Sequence, residues 1–94
     1  MNDATEVDES DVQVDFYWRP GCGFCSSLHR RLTGSGVELT MHNIWDDPDA
    51  AAVVRRATGG SETVPTVGIG GHYLVNPSAN AVFDAMEATA QQGA

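Results

Sequence analysis

Hydrophobic and polar positions along the 94-residue chain change period several times, and each change marks an element. Val12-Gln-Val-Asp-Phe-Tyr-Trp18 alternates, with Val12, Val14 and Phe16 on one face, and predicts a first strand that Pro20-Gly21 ends. From near Cys22 to Thr33 the period becomes helical: Cys25, Leu28 and Leu32 fall at i, i+3 and i+7. Arg30 and Arg31 sit late in that helix, where cations suit its dipole, and Gly34 and Gly36 stop it. Val37 to Ile44 predicts a second strand. Asp47-Pro48 then opens a helix, with Asp47 as N-cap and Pro48 in the first helical position. This helix turns Val53, Val54 and Ala57 inward and ends at Gly59-Gly60. Thr66 to Ile69 and His72 to Val75 read as short strands joined by Gly70-Gly71, a two-residue hairpin turn. Ser78 caps a last helix running to about Gln91, with Val82, Phe83, Met86 and Ala90 on one stripe.

The resulting order, β-α-β-α-β-β-α, predicts an α/β fold. Its strand–helix–strand opening requires a right-handed crossover and a parallel pair, and the hairpin adds an antiparallel edge. A mixed four-stranded sheet flanked by three helices follows. The length suits one domain with a thin core, and the hydrophobic fraction of 41% is that of a folded chain.

Charge changes the picture at the amino end. The formal net charge is −8, and six of the thirteen acids (Asp3, Glu6, Asp8, Glu9, Asp11, Asp15) precede residue 16 without a Lys or Arg among them. Residues 1–10 therefore read as a solvated, disordered acidic tail, and residues 11–92 as the folded domain. Without a basic patch, nucleic acid is not an expected partner. The start shows no basic and apolar leader, and no apolar run is long enough to span a bilayer, so no membrane association is expected and the expected compartment is the cytoplasm. The chain is expected to act as a monomer.

The chemistry rests on the two cysteines. In a reducing compartment a lone pair is seldom a structural staple, so Cys22-Gly-Phe-Cys25 implies a redox, catalytic or metal role. Zinc would need two more ligands; His29 lies one turn after Cys25, whereas His42 and His72 are far away in sequence. No metal site is expected, and His29 reads as a polar residue on the wet face of its helix. Cys22 lies just past the carboxyl end of the first strand at a helix start, where unpaired N–H groups and the helix dipole lower a thiol pKa. Cys25, one turn on, faces the core. Cys22 is thus the expected attacker and Cys25 the resolving thiol. Arg19 would add positive charge beside the thiolate, and Phe24 an aromatic surface for an incoming thiol.

Three segments together carry a resemblance. Arg-Pro-Gly-Cys-Gly-Phe-Cys at 19–25, Thr-Val-Pro-Thr-Val at 63–67 and Asn-Pro-Ser-Ala at 76–79 resemble the glutaredoxin family of the thioredoxin superfamily, closest to its actinobacterial branch, the mycoredoxins. The likeness spans roughly residues 12–90 and implies the thioredoxin-like, glutaredoxin-type version of the fold. It implies a thiol–disulfide oxidoreductase with Cys22 as nucleophile and Cys25 as resolving thiol. Pro65 would be cis beside the disulfide, and the Thr63-Val64-Pro65 segment would present the Val64 backbone to substrate as an added strand would. Glutathione-using members typically carry Gly-Gly and then Cys or Ser with Asp after the last strand. Here Val75-Asn76-Pro77-Ser78-Ala79 holds no acid, which implies mycothiol in place of glutathione as reducing co-substrate, with Asn76, Pro77 and Ser78 in its site. Arg as the sole strong base and abundant Ala lean the same way. The expected substrates are oxidised or thiolated proteins, and no bound cofactor is needed. Two alternatives accompany this reading: a redoxin reduced directly by thioredoxin reductase, and an iron–sulfur cluster-binding dimer suggested by Gly-Phe between the cysteines.

Overall fold

The computed structural model describes residues 12–93; the expected acidic tail lies outside them. The elements are β1 (Val14–Trp18), α1 (Gly23–Gly34), β2 (Leu39–Asn43), α2 (Pro48–Thr58), β3 (Thr66–Ile69), β4 (His72–Val75) and α3 (Ala79–Gly93). The sheet order is β2-β1-β3-β4, with β1 parallel to β2 and both other pairings antiparallel. The mixed four-stranded sheet with three helices is the expected architecture.

Local chemistry explains the boundaries. The Asp47 carboxylate accepts hydrogen bonds from the Asp49 and Ala50 amides at 3.0 and 3.3 Å, and Gly59 ends α2 at φ 82°. Gly70 and Gly71, at φ 58° and 82°, supply the two left-handed positions of a type I′ hairpin. The second strand is shorter than the expected 37–44. The Val37 amide is used at the carboxyl end of α1, bonding the Leu32 carbonyl at 3.1 Å, so pairing with β1 starts only at Leu39. The first strand likewise starts at Val14, although Val12 still packs on the core.

Alternation along β1 divides the core between the two faces of the sheet. Val14 and Phe16 join Cys25, Leu28, Leu32, Val67, Ile69, Val82 and Met86 beneath α1 and α3. Tyr17 faces the other way, against Ile44, Ala50, Ala51 and Val54 of the α2 layer. Here the structure departs from the expected inward stripe: Val54 is fully buried, but Val53 and Ala57 are only half-buried. The first turn of α2 is the part pressed on the sheet, so the small Ala50 and Ala51 carry that contact.

Candidate active site

Both cysteines sit where β1 hands over to α1. Cys22 is the N-cap of α1, with extended backbone at φ −90° and ψ 106°, and its sulfur accepts a hydrogen bond from the Cys25 amide at 3.1 Å. It therefore occupies the place that Ser or Asp takes at other helix starts. The two sulfurs are joined as a disulfide, with the Cα atoms 5.2 Å apart. The expected order of exposure holds, at 9% for Cys22 and 4% for Cys25, but both are covered in this oxidised form.

The Val64–Pro65 peptide is cis, and the Val64 carbonyl oxygen lies 3.8 Å from the Cys22 sulfur. In the disulfide this is a contact, since the sulfur carries no hydrogen. The Pro65 carbonyl in turn accepts the Asn76 amide at 2.7 Å, with Asn76 itself at φ 49°. The loop before β3 and the loop after β4 are thereby bound together on one side of the cysteine pair. Thr63 is exposed, bonding Ser61 by its hydroxyl at 2.7 Å and accepting the Thr66 hydroxyl on its carbonyl at 2.8 Å. Pro77 is half-buried. The Ser78 hydroxyl accepts the Ala81 amide at 3.1 Å and so caps α3, as its sequence context suggests.

The pair also borders an open cleft of about 540 Å³, within the size range of ligand sites, to which residues 63–78 do not contribute. Phe16, Trp18 and Met41 line its apolar part, and Arg19, Ser26, His29, Arg30 and Thr33 its polar part; Cys22 and Cys25 line it too. The Arg19 guanidinium lies 5.7 Å from the ring centre of Trp45, an exposed side chain. Phe24 projects into solvent at 73% exposure, as an aromatic contact surface would.

Most of this cleft was not expected from the sequence. His29 is not on a wet face: it is half-buried and meets the Phe16 ring edge-on at a centroid distance of 5.9 Å. Ser26, His29, Arg30 and Thr33 recur at helical spacing on the flank of α1 next to β2, and that spacing was the available signal. Met41 was not findable in this way, because it reaches the cleft only through its register opposite Phe16.

A glutaredoxin family model matches residues 14–74, which hold the cysteine pair, the cis proline, the first three strands and all but the last residue of the fourth. The chain belongs to the glutaredoxin family. This glutaredoxin is 37% identical over 70 residues to a candidate glutaredoxin of Mycobacterium tuberculosis, covering 73% of this chain and 83% of that one. Its fold is shared with the crystal structure of an Archaeoglobus fulgidus glutaredoxin at TM-score 0.67 and 19% identity, over 80% of this chain and 86% of the other. It is also similar to a buckwheat glutaredoxin crystallised with glutathione, at TM-score 0.64 and 18% identity, over 90% and 82% of the two chains. Family membership and the Cys22–Cys25 disulfide make it a thiol–disulfide oxidoreductase. The family generally acts on protein disulfides with a low-molecular-weight thiol. Among the described residues, no helix is long and apolar enough to cross a membrane.

Proposed function

We propose that this glutaredoxin reduces protein disulfides and protein–mycothiol mixed disulfides, with Cys22 as the attacking thiolate and Cys25 as the resolving thiol. The observation that carries the role split is the N-cap geometry. The Cys22 sulfur accepts the Cys25 amide and sits on the positive end of α1, so negative charge is stabilised on Cys22 and not on the core-facing Cys25.

In the reaction with a protein disulfide, the Cys22 thiolate attacks one substrate sulfur and the other leaves as a thiolate. Cys25 then attacks Cys22, releasing the second substrate thiol and closing the 22–25 disulfide. Two mycothiol molecules return both electrons and leave as mycothiol disulfide. With a mycothiolated protein, Cys22 takes the mycothiol sulfur and frees the protein thiol. A second mycothiol then attacks the sulfur held on Cys22, leaving as mycothiol disulfide and releasing the Cys22 thiolate. No bound cofactor enters either cycle.

Val64 and Pro65, against the Cys22 sulfur, form the edge along which a substrate backbone lies, with Thr63 at its start. Asn76, Pro77 and Ser78 border the small thiol, Arg19 stands beside the thiolate, and Phe24 offers the incoming thiol its exposed ring. Mycothiol is favoured over glutathione by the acid-free segment Val75 to Ala79 and by the mycobacterial relative. The deciding experiment compares reduction of one test protein carrying either mycothiol or glutathione, each coupled to NADPH oxidation through its own thiol and reductase. A clear excess of turnover with mycothiol is expected. Equal turnover, or turnover only with thioredoxin reductase and no small thiol, overturns the assignment of the electron donor.

A further inference from the structure

The cleft between α1 and β2 is unlike the rest of the molecule in charge. The chain carries thirteen acids and five arginines, yet none of the residues lining this cleft is Asp or Glu, and two are arginines, Arg19 and Arg30. Among the described residues neither arginine is in an ion pair, whereas Arg55 is held by Glu62 at 2.7 Å. The cleft is also rich in donors. Arg30 and Arg19 line it, the Arg19 guanidinium also donating to the Pro20 carbonyl at 3.3 Å, and so does Trp18, whose indole Nε1–H is buried without an acceptor among the described residues. A donor-rich, acid-free cleft in an acidic protein is complementary to carboxylates.

Geometry sets where those carboxylates belong. The cysteine pair lines the cleft, and Arg30, which also lines it, lies five residues along α1 from Cys25, about 7–8 Å at the helical rise. An extended peptide covers that distance in about two residues. We infer that this cleft selects protein substrates that carry Asp or Glu about two residues from the reacting cysteine, the acidic side chain meeting Arg30 while the apolar floor of Phe16, Trp18 and Met41 takes its neighbours. The inference rests on the oxidoreductase reading above and specifies its protein substrates. Neither Val64 nor Pro65 lines this cleft.

The test uses matched peptide disulfides with Asp or Lys placed two residues either side of the cysteine. Wild type is expected to favour the acidic peptide by about threefold or more in kcat/KM, a preference that shrinks with added salt. Arg30→Glu should abolish or invert that ratio. Arg31→Glu, the same charge change one position away and outside the cleft, should leave it as in wild type; equal effects of the two variants would mean overall charge and not the cleft, and would overturn the inference. A second arm needs no turnover: a cysteine-free Asp peptide should shift the Trp18 indole N–H resonance, and the Lys peptide should not. Absence of that shift overturns the inference. So does a change in the free-protein Trp18 signal when Asp3, Glu6, Asp8, Glu9 and Asp11 are replaced by Asn or Gln in the full chain, because the occupant is then the protein's own acidic segment. Should no peptide disulfide be reduced at all, the oxidoreductase reading falls, and the indole titration still decides the cleft.

Discussion

The sulfur of Cys22 lies 3.8 Å from the carbonyl oxygen of Val64, across 42 residues of sequence. The same sulfur accepts the Cys25 amide at 3.1 Å. These two neighbours act oppositely on the reduced protein. The amide and the helix end favour a thiolate on Cys22, while a carbonyl oxygen favours a thiol that can donate to it. A substrate sulfur arriving at Cys22 therefore enters a site bounded by the first turn of α1 on one side and the Val64 carbonyl on the other.

The role split makes a direct prediction. Cys22→Ser should reduce activity on every disulfide substrate to background, because its hydroxyl is no nucleophile at neutral pH. Cys25→Ser should retain reduction of small-thiol adducts and lose turnover of protein disulfides, with mixed disulfides accumulating on Cys22. Intact-mass spectrometry of that variant checks the assignment. An adduct absent from Cys22, or full activity in Cys22→Ser, would reverse it.

What could be read from the chain alone was whatever local stereochemistry decides. Gly70-Gly71 fixed a hairpin because both positions need positive φ, and Asp47-Pro48 fixed a helix start because side-chain oxygen and pyrrolidine both suit it. The place of Cys22 at the start of α1 followed from the same kind of signal. The cleft did not, since it arises from a parallel pairing that puts Met41 opposite Phe16 and beside a flank of α1. Phe16 and Met41 lie 25 residues apart, a pairing that local pattern does not report. The misplaced inward stripe of α2 has a similar origin: Ala50 and Ala51 are buried because the start of the helix packs with Tyr17 and Ile44, which hydrophobic spacing does not report.

Ser78 lets capping be separated from recognition. Its hydroxyl holds the Ala81 amide at 3.1 Å, so Ser78→Ala should destabilise the fold by about 1 kcal/mol in chemical denaturation. Ser78→Asp keeps an acceptor at the cap and should retain stability close to wild type. It also places a carboxylate in the Val75–Ala79 segment, which has none. The ratio of kcat/KM for glutathionylated over mycothiolated substrate should therefore rise in Ser78→Asp and stay unchanged in Ser78→Ala. A stability loss in the Asp variant equal to that of Ala would show that the hydroxyl is not acting as a cap.

Asp47 offers a second capping test, away from the cysteines. Its carboxylate accepts two amides, so Asp47→Ala should cost about 1–2 kcal/mol. Asp47→Asn, retaining an acceptor, should recover most of that loss. The measurement is the denaturation midpoint of the oxidised protein. Equal losses in both variants would indicate that the negative charge at the helix end, and not the hydrogen bonds, carries the stabilisation.

Tyr17 predicts how stability depends on alkaline pH. Its phenol is pushed up from 10.0 to about 12, first by burial and then by the charges of Asp15, Tyr73 and Asp47, against a smaller opposing effect of Arg56. Its ring stacks on His42 at a centroid distance of 4.7 Å beneath α2. Because the folded protein holds this proton more tightly than the unfolded chain, the contribution to stability is complete below pH 10. It is lost as pH rises through about 12. The chain has no Lys to titrate in the same range, and the oxidised cysteines do not titrate. Urea denaturation of the oxidised protein between pH 9 and 12 should thus show a steep fall in stability for wild type and a shallower one for Tyr17→Phe. Parallel curves for the two proteins would mean that the Tyr17 phenol keeps the same proton affinity folded and unfolded, and that burial against α2 does not reach its hydroxyl.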